Sequence, residues 1–139
     1  AQAALKDIGI AVSIQCTADH NRLRRDPGAW DVYASAMVTA PTGDPEYFFT
    51  THCLDGSSAN NGRYHSDRLE ELEKELAETF DTARRGGLAV LMQQAILDDN
   101  AFIFYSHMKM SMISRAGVTG LTAHPCDFYE ITADLAPVD

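Results

Sequence analysis

Imidazoles and thiols are the side chains through which this sequence could do chemistry near neutral pH. Five histidines, His20, His52, His65, His107 and His124, are scattered along 139 residues. No HExxH or HxxxH spacing sets two of them on one helical face. His52 stands beside a Gly/Ser/Asn-rich loop, and His124 stands in a turn before Pro125. These two are the candidates to give a nitrogen to a transition metal, which imidazole suits. Cys16, Cys53 and Cys126 form no CxxC pair, and their odd number leaves at least one thiol unpaired within the chain. That pattern fits neither a disulfide scaffold nor a thiolate zinc site. No nucleophile elbow and no glycine-rich phosphate cradle occurs. The adjacent carboxylates Glu70-Glu71 and Asp98-Asp99 read as solvated positions on or at the ends of helices, so the expectation is that the chain is not an enzyme.

The bulk composition narrows the class further. A formal net charge of −9 and an isoelectric point near 4.8 repel phosphate backbones, which argues against a nucleic-acid partner. At 45% hydrophobic residues the chain can build a core, and its length suits one domain or one piece of a larger protein. Apolar runs are only a few residues long, so no span of a bilayer is expected. No basic start followed by an apolar stretch, the mark of a signal peptide, stands at Ala1.

The elements that must position these groups follow from periodicity and punctuation. Ala3–Ile8 reads as helix, stopped by Gly9. Ile10–Gln15 and Trp30–Val38 alternate as strands do, with a short helix over Thr17–Leu23 between them. Ala40–Pro45 is dense in turn formers, Glu46–Phe49 reads as a short helix wedged into the core, and Leu54–Gly62 as a polar loop. Two amphipathic helices follow. The first opens at Ser66-Asp67 with the stripe Leu69, Leu72, Leu76 and Phe80, and an exposed Glu70–Lys74 pair. The second runs from about Thr82 to Leu97 with Leu88, Leu91, Met92, Ala95 and Ile96 inward, its first turns loosened by Gly86-Gly87. Ala101–Tyr105 reads as a buried strand. Met108, Met110, Met112 and Ile113 form a second alternating run whose methionines are expected to fill core, and the tail ends in short extended pieces around Phe128-Tyr129 and Ile131.

In this order the segments LKDIGIAVSIQ, WDVYASAMVTAPTGDPEYFF, NNGRYHSDRLEELEKEL and FDTARRGGLAVLMQQAILDDNAFIFYSH resemble the C-terminal part of the ABC-importer solute-binding proteins that take di- and oligopeptides or nickel. The resemblance runs from Leu5 through Asp134, with Gly43–Phe49 and the Arg84–Asp99 helix as its most specific pieces. It implies an α/β fold: a fragment of a two-lobed periplasmic-binding-protein architecture with a mixed β-sheet flanked by helices. Residues 1–105 would be part of lobe II, and residues 106–139 would return across the hinge to lobe I. Family chains are several times longer, so this sequence is expected to be a fragment.

What the resemblance implies about cargo turns on a few positions. Peptide-binding members place an aspartate shortly before the Gly-Asp-Pro, where it pairs with the peptide amino terminus; here Pro41 stands three before Asp44, and Val38 or Thr39 replaces the usual tryptophan. Ala40-Pro41 ahead of Asp44-Pro45, and the tail VTGLTAHPCDFYEI, are similar to nickel-binding members. The resemblance therefore implies an extracytoplasmic subunit, periplasmic or lipid-anchored and monomeric, that carries nickel as a small organic chelate to permease subunits. A di- or oligopeptide is the alternative cargo. His52 and His124 would be metal ligands, Thr39, Pro41 and Thr42 would line the cleft, and no prosthetic group is implied. Some peptide-binding relatives carry a disulfide that begins near Cys53; here no second cysteine follows in that loop, and a bond to Cys126 would require the two Cα atoms within about 7 Å, so no disulfide is expected.

Overall fold

The computed structural model describes residues 1–26, 28–109, 111–124 and 131–138. The chain divides into two compact units, Ala1–Tyr33 and Ala34–Asp139.

In the first unit, α1 (Gln2–Asp7) ends at Gly9, whose φ of +84° is the left-handed turn that glycine adopts without Cβ strain. The amides of Ile8, Gly9 and Ile10 close this end on the carbonyls of Leu5 and Lys6. After α2 (His20–Arg25), the indole of Trp30 donates to the Leu23 carbonyl at 3.0 Å and its ring lies 5.6 Å from that of Tyr33. The segments around residues 10–15 and 30–38 are not strands. A strand exists through its partner's hydrogen bonds, and alternation of side chains supplies none. Ile14 and Val32 are accordingly exposed.

The second unit carries the core. α3 (Glu46–Phe48) runs directly into a π-helical turn, Phe49–Cys53, as the sequence expectation of a wedged helix requires. It is followed by α4 (Asp67–Glu78) and α5 (Thr82–Asp98). Leu69 and Leu76 from α4 meet Leu88, Ala89, Met92 and Ile96 from α5 around Phe48, Phe49 and Cys53, with Leu72 half-buried beside them. Two expectations about these stripes need correction. Phe80 is 90% exposed, because α4 ends at Glu78 and the extended backbone of Thr79 carries the chain off the helical repeat. Leu91 is likewise outside the core at 45% exposure, and Ala89 takes the inward place. α5 is continuous through Gly86 and Gly87, so the loosening expected there is not seen. Its start is capped by the Asp81 side chain, which accepts from the Arg84 amide at 2.8 Å. Its end turns at Asn100 with φ +54°, where the Ala101 amide reaches back to the Ile96 carbonyl.

Beyond α5 the buried strand expected over Ala101–Tyr105 does not form: Phe102 is half-buried and Phe104 is 53% exposed. Phe102 and Phe104 both lie 6.0 Å from the Phe48 ring, while Ile103 and Tyr105 are more than four-fifths exposed. No strand forms over 108–114 among the described residues; Met108 and Ile113 are exposed, Met112 is half-buried, and Met110 lies outside the described residues. The expected mixed sheet flanked by helices is not seen among the described residues, whose one sheet is an antiparallel pair, β1 (Val118–Thr119) with β2 (Ala136–Pro137), in the register Val118↔Pro137 and Thr119↔Ala136. Gly120 follows β1 at φ +78°, and a Cβ there would overlap the Asp134 carbonyl. The piece around Phe128-Tyr129 lies outside the described residues, and Ile131 is exposed.

Cys53 is buried as a free thiol and Cys16 is exposed and free; Cys126 lies outside the described residues. Burial pushes the Cys53 thiol up to about 12, which removes the reactive thiolate at neutral pH. A thiol reagent followed by peptide mapping is therefore expected to label Cys16 at once and Cys53 only as the chain unfolds. Immediate labelling of Cys53 in native buffer would contradict its place in the core.

Candidate functional site

The turn that carries the expected cleft residues is built on Asp44. The Gly43 amide bonds the Ala40 carbonyl at 3.0 Å, and Gly43 takes φ +81°. Asp44 Oδ1 accepts from the Glu46 amide at 2.9 Å, which closes the turn on the start of α3. Pro41 is buried beneath this turn, while Thr39 and Thr42 are exposed. Arg85 on α5 anchors the assembly. Its Nε and Nη2 grip the two oxygens of Asp44 at 3.1 and 2.8 Å, and Nη2 also donates to Glu46 at 2.6 Å. Its Nη1 donates to the Leu76 and Thr79 carbonyls at the end of α4, both at 2.8 Å. The guanidinium beside Asp44 holds that carboxyl below its ordinary range, and the two carboxylates raise Arg85 in turn. The GDPE run thus reads as a bracket that binds the turn to α4 and α5 (sequence reasoning singled out its residues but not their partner).

His52 sits half-buried on the π-turn that follows α3, its ring 5.8 Å from Phe48 and 6.3 Å from Tyr47. Thr39, Pro41, Thr42 and His52 are therefore all carried by segments that flank α3 in sequence. His124 is carried by the exposed chain after β1, at the last described position before residue 131.

A second group of possible ligands was missed by sequence reasoning. Asp55, His65 and Glu70 bring one ligand atom each within 4.8 Å of one another. His65 Nδ1 lies 3.8 Å from Asp55 Oδ2 and 3.8 Å from Glu70 Oε1, and its Nε2 lies 3.3 Å from Asp67 Oδ1. Asn60 folds the polar loop that makes this meeting possible: its side-chain amide donates to the Leu54 and Tyr64 carbonyls and accepts from the Tyr64 amide. Tyr64 then donates its hydroxyl to Asp99 at 2.6 Å; burial, with this bond, raises its phenol above the ordinary value. The expected Glu70–Lys74 pair is not among the ion pairs of α4, since Glu70 turns towards His65 instead. The polar loop was the one signal of this group in the sequence, and its closure by Asn60 is not a local property.

No helix among the described residues is long and apolar enough to cross a membrane. No family model matches the chain. Over 88 residues, 63% of its length, the chain is 27% identical to the nickel-binding protein NikA of Staphylococcus aureus, of which it covers 18%. The crystal structure of NikA from Staphylococcus aureus in complex with Ni(L-His)2 matches with a TM-score of 0.62 and 25% identity, over 72% of this chain and 21% of that one. The chain thus spans about a fifth of the length of the relatives it matches. Together with the order of its segments, these matches make it a partial homologue of a nickel-binding ABC solute-binding protein, similar to a fragment of that fold.

Proposed function

We propose that this chain is part of an extracytoplasmic solute-binding subunit that captures nickel, as a chelate with a small organic molecule, and presents it to the permease of an ABC importer. The observation that carries the reading is the match to NikA in both sequence and structure, that structure being a complex with Ni(L-His)2. Residues 1–105 would belong to lobe II and residues 106–139 would return to lobe I. A periplasmic or lipid-anchored location and a monomeric state go with this assignment.

In this reading Thr39, Pro41 and Thr42 line the cleft wall, and His52 and His124 supply nitrogens to the metal. Two imidazoles leave most nickel positions open, which is why the cargo is a chelate and not the bare ion. His52 has aromatic neighbours, its ring lying 6.3 Å from Tyr47 and 5.8 Å from Phe48. A peptide cargo is the second reading; the absence of an aspartate at Pro41, where an ammonium would need one, argues against it.

Calorimetric titration of the complete polypeptide tests this. Nickel is expected to bind saturably in the presence of free L-histidine. Loss of a ligand in His52→Ala or His124→Ala should weaken binding by about 10- to 100-fold, at least the cost of losing an outer-sphere partner. Binding of dipeptides with no response to nickel would overturn the nickel reading.

A further inference from the structure

We propose that Asp55, His65 and Glu70 form a site for a divalent transition-metal ion taken directly from solution, distinct from the cargo site proposed above and independent of that proposal. The ligands would be Nδ1 of His65 and one oxygen each from Asp55 and Glu70.

Geometry, charge and orientation all support the assignment. Ligands about 2.1 Å from a metal stand roughly 3.0–3.5 Å apart at neighbouring positions, and both carboxylates are already 3.8 Å from His65 Nδ1. Asp55 and His65 are exposed and Glu70 is half-buried, so small side-chain rotations close that gap without moving the backbone. Three carboxylates, Asp55, Asp67 and Glu70, face a single imidazole, and among the described residues His65 is the one basic side chain at ion-pair distance from them. A cation relieves that repulsion. Glu70 faces this group although Lys74 stands one helical turn away on α4, where an ordinary pair would form.

One ring nitrogen of His65 serves both prospective ligands: Nδ1 lies 3.8 Å from each of the Asp55 and Glu70 carboxylates, which leaves Nε2 on the side of the exposed Asp67. Imidazole with two carboxylates suits late first-row divalent ions such as zinc or nickel, with water in the open positions. Bound there, the ion would tie the loop after the π-turn to the first turn of α4.

The probe is zinc chloride, titrated calorimetrically into the chain at neutral pH in a buffer without histidine. One equivalent is expected to bind, with affinity reduced at least tenfold in His65→Ala and in Glu70→Gln and unchanged in His107→Ala, whose exposed imidazole belongs to neither proposed site. His65 and His107 are exposed and Glu70 is half-buried outside the core cluster, so circular dichroism should show the same helix content in each variant. Free L-histidine in excess should strip this ion by competition, whereas the cargo reading requires L-histidine; failure of one proposal is thereby separable from failure of the other. No saturable binding, or zinc affinity unchanged in His65→Ala, would overturn the site, as would an equal loss in His107→Ala.

Discussion

Truncation of Phe49 to alanine is expected to destabilise the Ala34–Asp139 unit by about 3–5 kcal/mol, the range for emptying a buried aromatic site. Phe49 is 1% exposed and stands where the π-turn meets both long helices, with the Phe48 ring 5.5 Å away. Leu69, Leu76, Leu88, Met92 and Ile96 all close on the same cluster, so no neighbour can fill the void without leaving its own helix position. Urea unfolding followed by circular dichroism at α4 and α5 reads the change. Because a loss of this size is a large part of a typical domain's stability, Phe49→Leu supplies the graded comparison, with an expected cost of about 1–1.5 kcal/mol. Equal midpoints for the wild type and Phe49→Ala would mean that the two helices are not held by this core.

The second large effect belongs to the bracket on Arg85. In Arg85→Met, the carboxylates of Asp44 and Glu46 and the carbonyls of Leu76 and Thr79 all lose the guanidinium at once; Asp44 retains the Glu46 amide and Leu76 the Thr79 amide, whereas Glu46 and Thr79 lose the donor that Arg85 gave them. Leaving such groups unpartnered is more damaging than losing the bond itself. The urea midpoint should fall well below that of Arg84→Met, since Arg84 is an exposed side chain whose partner is Glu75. The acid limb of the stability curve provides an independent readout. Asp44 is held below its ordinary value of 3.8 in the folded chain, chiefly by the hydrogen bonds from Arg85. A lowered folded value means stability that is fully present above the unfolded value and lost as pH falls through the folded one. Wild-type stability should therefore decline below about pH 4, and Arg85→Met should lose that part of the decline. An unchanged acid limb in Arg85→Met would show that Asp44 owes nothing to the guanidinium. The turn bearing Thr39, Pro41 and Thr42 depends on the same bracket, so the variant should also loosen that wall of the proposed cleft.

Local physical chemistry made much of the helical half legible from sequence. The Leu69–Leu76 and Leu88–Met92–Ile96 repeats, the stop at Asn100 and the tight turn at Gly43-Asp44-Pro45 depend on neighbours within a few residues, and they appear where periodicity and turn chemistry place them. The start of α3 was legible for a related reason: its turn is closed locally, by Asp44 accepting from the Glu46 amide. Tertiary structure alone decided the rest. Phe80 continues the apolar stripe in sequence yet is 90% exposed, because the path of the chain after Thr79 and not the repeat determines where it goes. Glu70 has Lys74 at ideal helical spacing and instead faces His65, brought there by a loop that Asn60 closes. Arg85 finds Asp44 across some forty residues, and nothing in either local sequence announces it. The alternating segments formed no sheet among the described residues beyond β1 and β2, since a side-chain pattern of period two is a local property whereas a strand requires a partner in the right register.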